Sequence, residues 1–137
     1  MGFTDSVRVI AALNEQYKPA HTLIEKKANG AGVIEVLRET IPNLTAVEPQ
    51  GSKEDRAYRV TPLFEAGKVW LPKDFNAHSW VKPLLSELET FPMGSSDDCV
   101  DAMTQALSYL QGKSRSGRWL KAYDIRSGEF FQMLRGL

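Results

Sequence analysis

The chain has 137 residues, a formal net charge of zero and 42% hydrophobic residues, so it fits one domain able to bury a core without covalent staples. Its balanced charge argues neither for nor against nucleic acid, and its single cysteine, Cys99, excludes an internal disulfide and fits a reducing compartment. No long apolar run or basic N-terminal start predicts a transmembrane helix or signal peptide, so a cytoplasmic globular domain is expected. The charge is unevenly spread. From Lys113 to Leu137 six basic residues (Lys113, Arg115, Arg118, Lys121, Arg126, Arg135) face only Asp124 and Glu129, which sets a basic tail, 113–137, apart from a more acidic body, 4–112.

Helical spacing begins at Thr4 or Asp5 with Val7, Ile10 and Ala11, with Leu13 as a further candidate, and Pro19 closes it. "HTLIEKKA" holds a short strand through Thr22, Leu23 and Ile24 that ends in Glu25, and "NGAG" turns the chain. A helix from about Gly32 to Thr40 aligns Val33, Ile34, Leu37 and Ile41 before Pro42, and "LTAVEP" predicts a second strand. After the loop "QGSKEDR" a third helix runs to Glu65, its boundary blurred by Pro62, with Gly67 as its cap. "KVWLP" predicts a third strand. "HSWVKPLLSELETF" is a fourth helix using Trp80, Val81, Leu84, Leu85 and Leu88. The fifth starts near Asp97 with Val100, Met103, Ala106, Leu107 and Leu110 on its stripe. The basic tail regains aromatics at Trp119, Tyr123, Phe130 and Phe131. Three short strands flanked by about five helices predict an α/β fold with some parallel pairing. So few strands suit part of a larger sheet, or a chain that borrows strands from a partner.

The chemistry concentrates in "FPMGSSDDCVDAMTQAL", where Asp97, Asp98 and Asp101 open an apolar helix. Asp caps helices and complements their dipole. Asp97 and Asp101, four apart, also repel each other on one face, and a divalent cation such as Mg²⁺ or Mn²⁺ relieves such repulsion. Glu25 ends an apolar strand, where α/β sheets collect ligand sites, or is a solvated carboxylate beside Lys26 and Lys27. In "GSKEDR", Lys53, Arg56 and Arg59 offer phosphate contacts, or form a solvated face paired with Glu54 and Asp55. His21 and His78 read as surface or strand-edge residues and Cys99 as a small apolar one, none with a catalytic role. "FEAGKVWLP" reads as core.

The order "LIEKKANGAGVIEVLR", "GSKEDRAYRVTPLFEAGKVWLP", "W…LLSELETFPMGSSDDCVDAMTQAL", over roughly Val7 to Leu110, resembles the C-terminal nuclease domain of the large terminase subunit of tailed bacteriophages. The resemblance implies a partial ribonuclease-H-like fold and a metal-dependent endonuclease that cuts concatemeric viral DNA during packaging. It carries a catalytic, metal-binding role to Glu25 and to Asp97 and Asp98, without deciding which of the two lies closer to the metal, and an outer-shell place to Asp101. It implies a two-metal Mg²⁺ or Mn²⁺ site and double-stranded DNA as substrate. The partners it implies are the missing N-terminal part of the terminase, the small terminase subunit and the portal, in a bacterial host cytoplasm and with no membrane. Hydrolysing a phosphodiester with two metals needs acids to bracket them and no side-chain nucleophile. The family's first catalytic aspartate lies on a strand upstream of the first helix, and Asp5 does not take that role. No phosphate-binding G-x-x-x-x-G-K-[ST] loop of a motor occurs either. The chain thus reads as the C-terminal part of a terminase from a split or decayed gene, and feeble cutting is expected of it alone. A non-catalytic prophage remnant that binds DNA or a packaging partner is the alternative. A resolvase-like enzyme is a third reading, disfavoured by the "FP…DD…DA" ending.

Overall fold

The computed structural model describes residues 2–27, 30–114, 121–124 and 129–132. Its chain divides into two compact units, 1–50 and 51–137. The first comprises helix α1 (Phe3–Tyr17), strand β1 (Thr22–Glu25), helix α2 (Gly30–Leu37) and strand β2 (Leu44–Val47). The β1–α2–β2 order makes the two strands parallel, in a register that runs from Thr22 opposite Leu44 to Glu25 opposite Val47. Val33, Leu37 and Ile41 form the buried centre, with Val7, Ile10, Ala11, Ile24 and Leu44 packed on it. These are largely the residues that the helical and strand spacings single out. Leu13 is the exception: it falls off the α1 stripe and is 44% exposed. Helix α2 begins at Gly30 rather than Gly32 and ends at Leu37, after which the amides of Thr40 and Ile41 both reach back to the Leu37 carbonyl. That turn folds Ile41 into the core beside the helix it follows.

The second unit holds α3 (Lys53–Glu65), α4 (Val81–Thr90), α5 (Asp98–Ser114), β3 (Lys121–Asp124) and β4 (Glu129–Gln132). Val60 and Leu63 of α3 and Leu107 of α5 form its buried cluster, covered by Val69, Met103 and Leu110. Helix α3 begins inside the stretch predicted as a loop, because Ser52 and Asp55 form a capping box: the Asp55 amide donates to Ser52 Oγ, and the Ser52 amide donates to Asp55 Oδ2. It continues through Pro62 to Glu65 and closes on Gly67, at φ +63°, where the amides of Gly67 and Lys68 bond the carbonyls of Phe64 and Leu63.

The predicted third strand is not formed. Residues 68–72 are irregular among the described residues. Val69 turns in to the α3–α5 cluster, whereas Trp70 is 72% exposed and its indole donates to the Gly67 carbonyl. A run that spends its apolar residue on a helix pair and has no ladder partner reads as a strand only by composition. The remaining strands are β3 and β4, an antiparallel pair within the tail region, with Lys121 opposite Gln132 and Asp124 opposite Glu129. The architecture is therefore mixed α/β, with five helices, one parallel pair and one antiparallel pair among the described residues. Trp119, Arg115, Arg118, Arg126 and Arg135 lie outside those residues. His78, read from sequence as a surface or edge residue, is buried.

Leu37 is 2% exposed at the centre of the first unit. Replacing it with alanine opens a cavity in the cluster on which α1, β1 and β2 residues pack, and Leu37→Ala is expected to lower the stability of this unit by about 2–5 kcal/mol. Urea unfolding followed by hydrogen exchange of the β1 and β2 amides reads that loss.

Candidate functional site

Glu25 stands at the carboxyl end of β1. Strand alternation sets it on the face opposite Ile24, which packs in the core. Its carboxylate pairs with Lys27 Nζ at 3.0 Å and remains about one-third exposed, at 32%. Glu48 directly follows the parallel strand β2, and its carboxylate accepts from Lys26 Nζ at 3.1 Å. Two acids and two lysines thus mark the carboxyl end of the parallel pair. Helix α2 begins directly behind it: a Cβ on Gly30 would lie 2.1 Å from the Glu25 carbonyl oxygen. Only a residue without a side chain lets the helix start so close to the strand end.

In the second unit the acids of α5 meet the cations of α3. Asp97 immediately precedes α5, and its carbonyl accepts from the Asp101 amide at 2.9 Å. Lys53 Nζ lies 2.7 and 2.8 Å from the two oxygens of Asp97. The same ammonium is 3.2 Å from Asp101 Oδ2. The other Asp101 oxygen accepts from Arg56 at 2.7 Å. Arg56 is 8% exposed and also donates to the Gly51 carbonyl at 3.2 Å. Gly51 has φ +78°, and a Cβ there would press on Asp55 and Arg59. The glycine therefore permits the turn into α3 close against Asp55 and Arg59. Arg59 is exposed, with its Nε on the Asp55 carbonyl at 3.3 Å. Asp98 is exposed, with no ion-pair partner among the described residues.

The cations that the sequence offers to phosphate and the acids it offers to a metal are thus, in part, each other's partners. Lys53 and Arg56 neutralise Asp97 and Asp101, and the hydrogen bonds that Lys53 donates, first to Asp97 and then to Asp101, hold its pKa above the ordinary value. Three carboxylate oxygens converge on one ammonium. Such hard oxygen donors around a single cationic centre suit Mg²⁺ or Mn²⁺ in type. Among the described residues, no three His, Cys, Asp or Glu side chains stand together closely enough to hold a metal ion.

A family model described as the terminase RNaseH-like domain matches residues 7–110. The chain belongs to that family. No curated protein and no solved structure gave a match. Membership gives this terminase domain a nuclease-related role in phage DNA packaging, with DNA and the packaging machinery as its partners in general. The match takes in all of the site residues, from Glu25 through Lys53, Arg56 and Arg59 to Asp97, Asp98 and Asp101. Among the described residues no helix of the terminase domain is long and apolar enough to cross a membrane.

Sequence reading missed the residue that holds the start of α5. Glu87, on α4, accepts from Ser96 Oγ at 3.0 Å and from the amides of Cys99 and Val100 at 2.8 and 3.2 Å. It satisfies N–H groups that the first turn cannot bond internally. Its only signal in the sequence is a glutamate on a helix ending shortly before an apolar helix with acidic first residues. Burial opposes the charge of Glu87, but the bonds from Ser96, Val100 and Cys99 outweigh it and depress its pKa. The Cys99 thiol beside it is pushed up, by burial first and then by the Glu87 charge.

A depressed folded-state pKa stabilises the fold fully above the ordinary glutamate pKa, and the contribution disappears as pH falls through the folded value. At neutral pH, Glu87→Gln is therefore expected to melt below the parent terminase domain. The gap should narrow as pH is lowered from the ordinary glutamate range through the depressed value. Melting curves of both proteins from pH 7 to pH 3 test it, and a gap independent of pH would remove Glu87 as an ionised cap.

Proposed function

We propose that the terminase domain is a metal-dependent endonuclease acting on double-stranded DNA during genome packaging, with Glu25, Asp97 and Asp98 as its catalytic carboxylates and Asp101 beside them. The observation that carries this reading is the convergence of Asp97 and Asp101 oxygens on one cationic centre at the start of α5. Two ions of Mg²⁺ or Mn²⁺, when bound, supply the Lewis acidity that activates water and steadies the departing oxygen. The protein's own part is to hold the acids. Helix α5 presents Asp97, Asp98 and Asp101 from one turn, fixed by Glu87 from α4 and by Arg56 from α3. The end of β1 presents Glu25, backed by the close start of α2. Exposed Arg59 and half-exposed Lys53 supply positive charge for phosphate at the first turns of α3, and such contacts weaken as salt rises.

A second reading has its own support. Asp97 and Asp101 are already neutralised by Lys53 and Arg56, as suits a DNA-binding or packaging-partner module that no longer cuts. Metal binding separates the two readings directly. A ligand that binds only the folded state raises its melting temperature by mass action. Millimolar Mn²⁺ is expected to raise the melting temperature of the parent by several degrees. Asp97→Asn with Asp98→Asn should abolish the rise, and Glu25→Ala should reduce it. Nicking of supercoiled plasmid with Mn²⁺, where seen, should disappear in Glu25→Ala. An equal metal response in parent and double variant would leave the acids as helix caps and ion-pair partners and would favour the non-catalytic module.

A further inference from the structure

We infer that the outer edge of β1 is an interface on which a second copy of this chain pairs antiparallel, joining the two parallel pairs into one sheet of order β2–β1–β1–β2. This interface belongs to the first unit alone and lies beyond the nuclease reading above, on which it does not rest.

Backbone parity decides which groups are open. The Thr22 amide donates to the Asn43 carbonyl at 3.0 Å, and the Lys26 amide to the Val47 carbonyl at 2.8 Å. With Ile24 opposite Ala46, the even-numbered residues of β1 turn their backbone groups toward β2, and Leu23 and Glu25 turn theirs away. Among the described residues no strand lies on that side, because the sheet is the pair β1–β2 alone. An open strand edge is a template for another chain. No lysine or proline, the residues that commonly blunt an edge, interrupts Thr22–Glu25. The far edge of β2 offers less. Its outward residues are Leu44 and Ala46, and Leu44 turns its amide back to the Ile41 carbonyl at 3.2 Å.

The side chains select the same strand as the partner. A two-fold axis at Leu23 sets that residue opposite its own copy, with His21 opposite Glu25 and Thr22 opposite Ile24. Apolar meets apolar at the axis, and a histidine meets a carboxylate on either side. An axis at Ile24 instead opposes Leu23 to Glu25 and His21 to Lys27. An axis at Thr22 opposes Glu25 to Pro19, which has no amide to give. Lys27 already pairs with Glu25 within one copy, but that exposed pair is worth little, and a carboxylate accepts from more than one donor. In the Leu23 register the Leu23 amides and carbonyls bond one another, and each Glu25 amide reaches the His21 carbonyl of the second copy. Pairing ends there, since the start of α2 at Gly30 crowds the Glu25 carbonyl. So short a ladder buries little surface, and the dimer is weak and concentration-dependent.

Sedimentation equilibrium and amide hydrogen exchange test the pairing. The parent should pass from monomer to dimer as its concentration rises to about 0.5 mM. Over the same range, exchange at the Leu23 and Glu25 amides should slow several-fold. Leu23→Lys, which sets two ammonium groups opposite each other, should stay monomeric while the amides of the β1–β2 ladder keep their protection. His21→Glu should weaken the dimer about tenfold by opposing acid to acid, and His21→Glu combined with Glu25→Lys should restore it. Should Leu23→Lys fail to fold, the charge exchange decides alone. A parent that stays monomeric would overturn the inference and leave the edge to a strand of another polypeptide. A dimer that persists in Leu23→Lys would overturn it by placing the contact elsewhere. So would a dimer indifferent to His21→Glu, or one that Glu25→Lys does not rescue. None of these outcomes bears on the nuclease reading.

Discussion

The second unit depends on a meeting of two helix N-termini. Lys53 and Arg56, in the first turn of α3, touch Asp97 and Asp101, at the first turn of α5. Further along the same helices, Val60 and Leu63 pack with Leu107. The helices therefore run side by side in the same direction, which places two positive dipole ends together, and α3 adds two cations to its own. Acids relieve that cost at the ends: Asp97 and Asp101 at the start of α5, Asp55 within α3, and Glu87 reaching from α4 to the amides of Cys99 and Val100. Asp97 and Asp101 thus answer the two charges from the neighbouring helix, and Glu87 answers the amides of α5 itself.

Burial grades these interactions. The Arg56–Asp101 bond has its guanidinium almost fully enclosed, so removing Asp101 leaves a largely buried charge with the Gly51 carbonyl as its remaining acceptor, whereas removing Arg56 leaves Asp101 with Lys53. Lys53, half in water, is screened, and its pairs are worth little to stability. The same acids are thus held by one enclosed partner and one that water screens.

Much of the first unit was legible because its local and tertiary preferences agree. Val33, Ile34, Leu37 and Ile41 recur at helical spacing and are buried, and the flanking runs through Ile24 and Leu44 form the parallel pair. The second unit was harder to read. "SKED" at 52–55 is a capping box whose third-position acid is Asp rather than Glu, and taking it as loop delayed the start of α3 and left Lys53 and Arg56 without a helix to orient them. "KVWLP" has strand composition, but Val69 answers to a helix pair, a tertiary demand that composition does not carry. The candidate acids were visible as a group, but their partners were not. Lys53 and Asp97 are 44 positions apart, and Glu87 stands 12 before the amide of Cys99. No local pattern encodes a bond across such separations.

The distinction between cap and metal ligand, which the residue types left open, dissolves at this level. A helix start that caps only itself needs one acid. One that also docks against a second cationic helix start needs more, and it must hold them apart from each other until their cations are in place. Asp97 and Asp101 are gathered on Lys53, and the buried Arg56 orients Asp101. Neutralisation of Lys53 and Arg56 therefore accounts for Asp97 and Asp101 on its own, and leaves exposed Asp98 as the acid that this docking does not use.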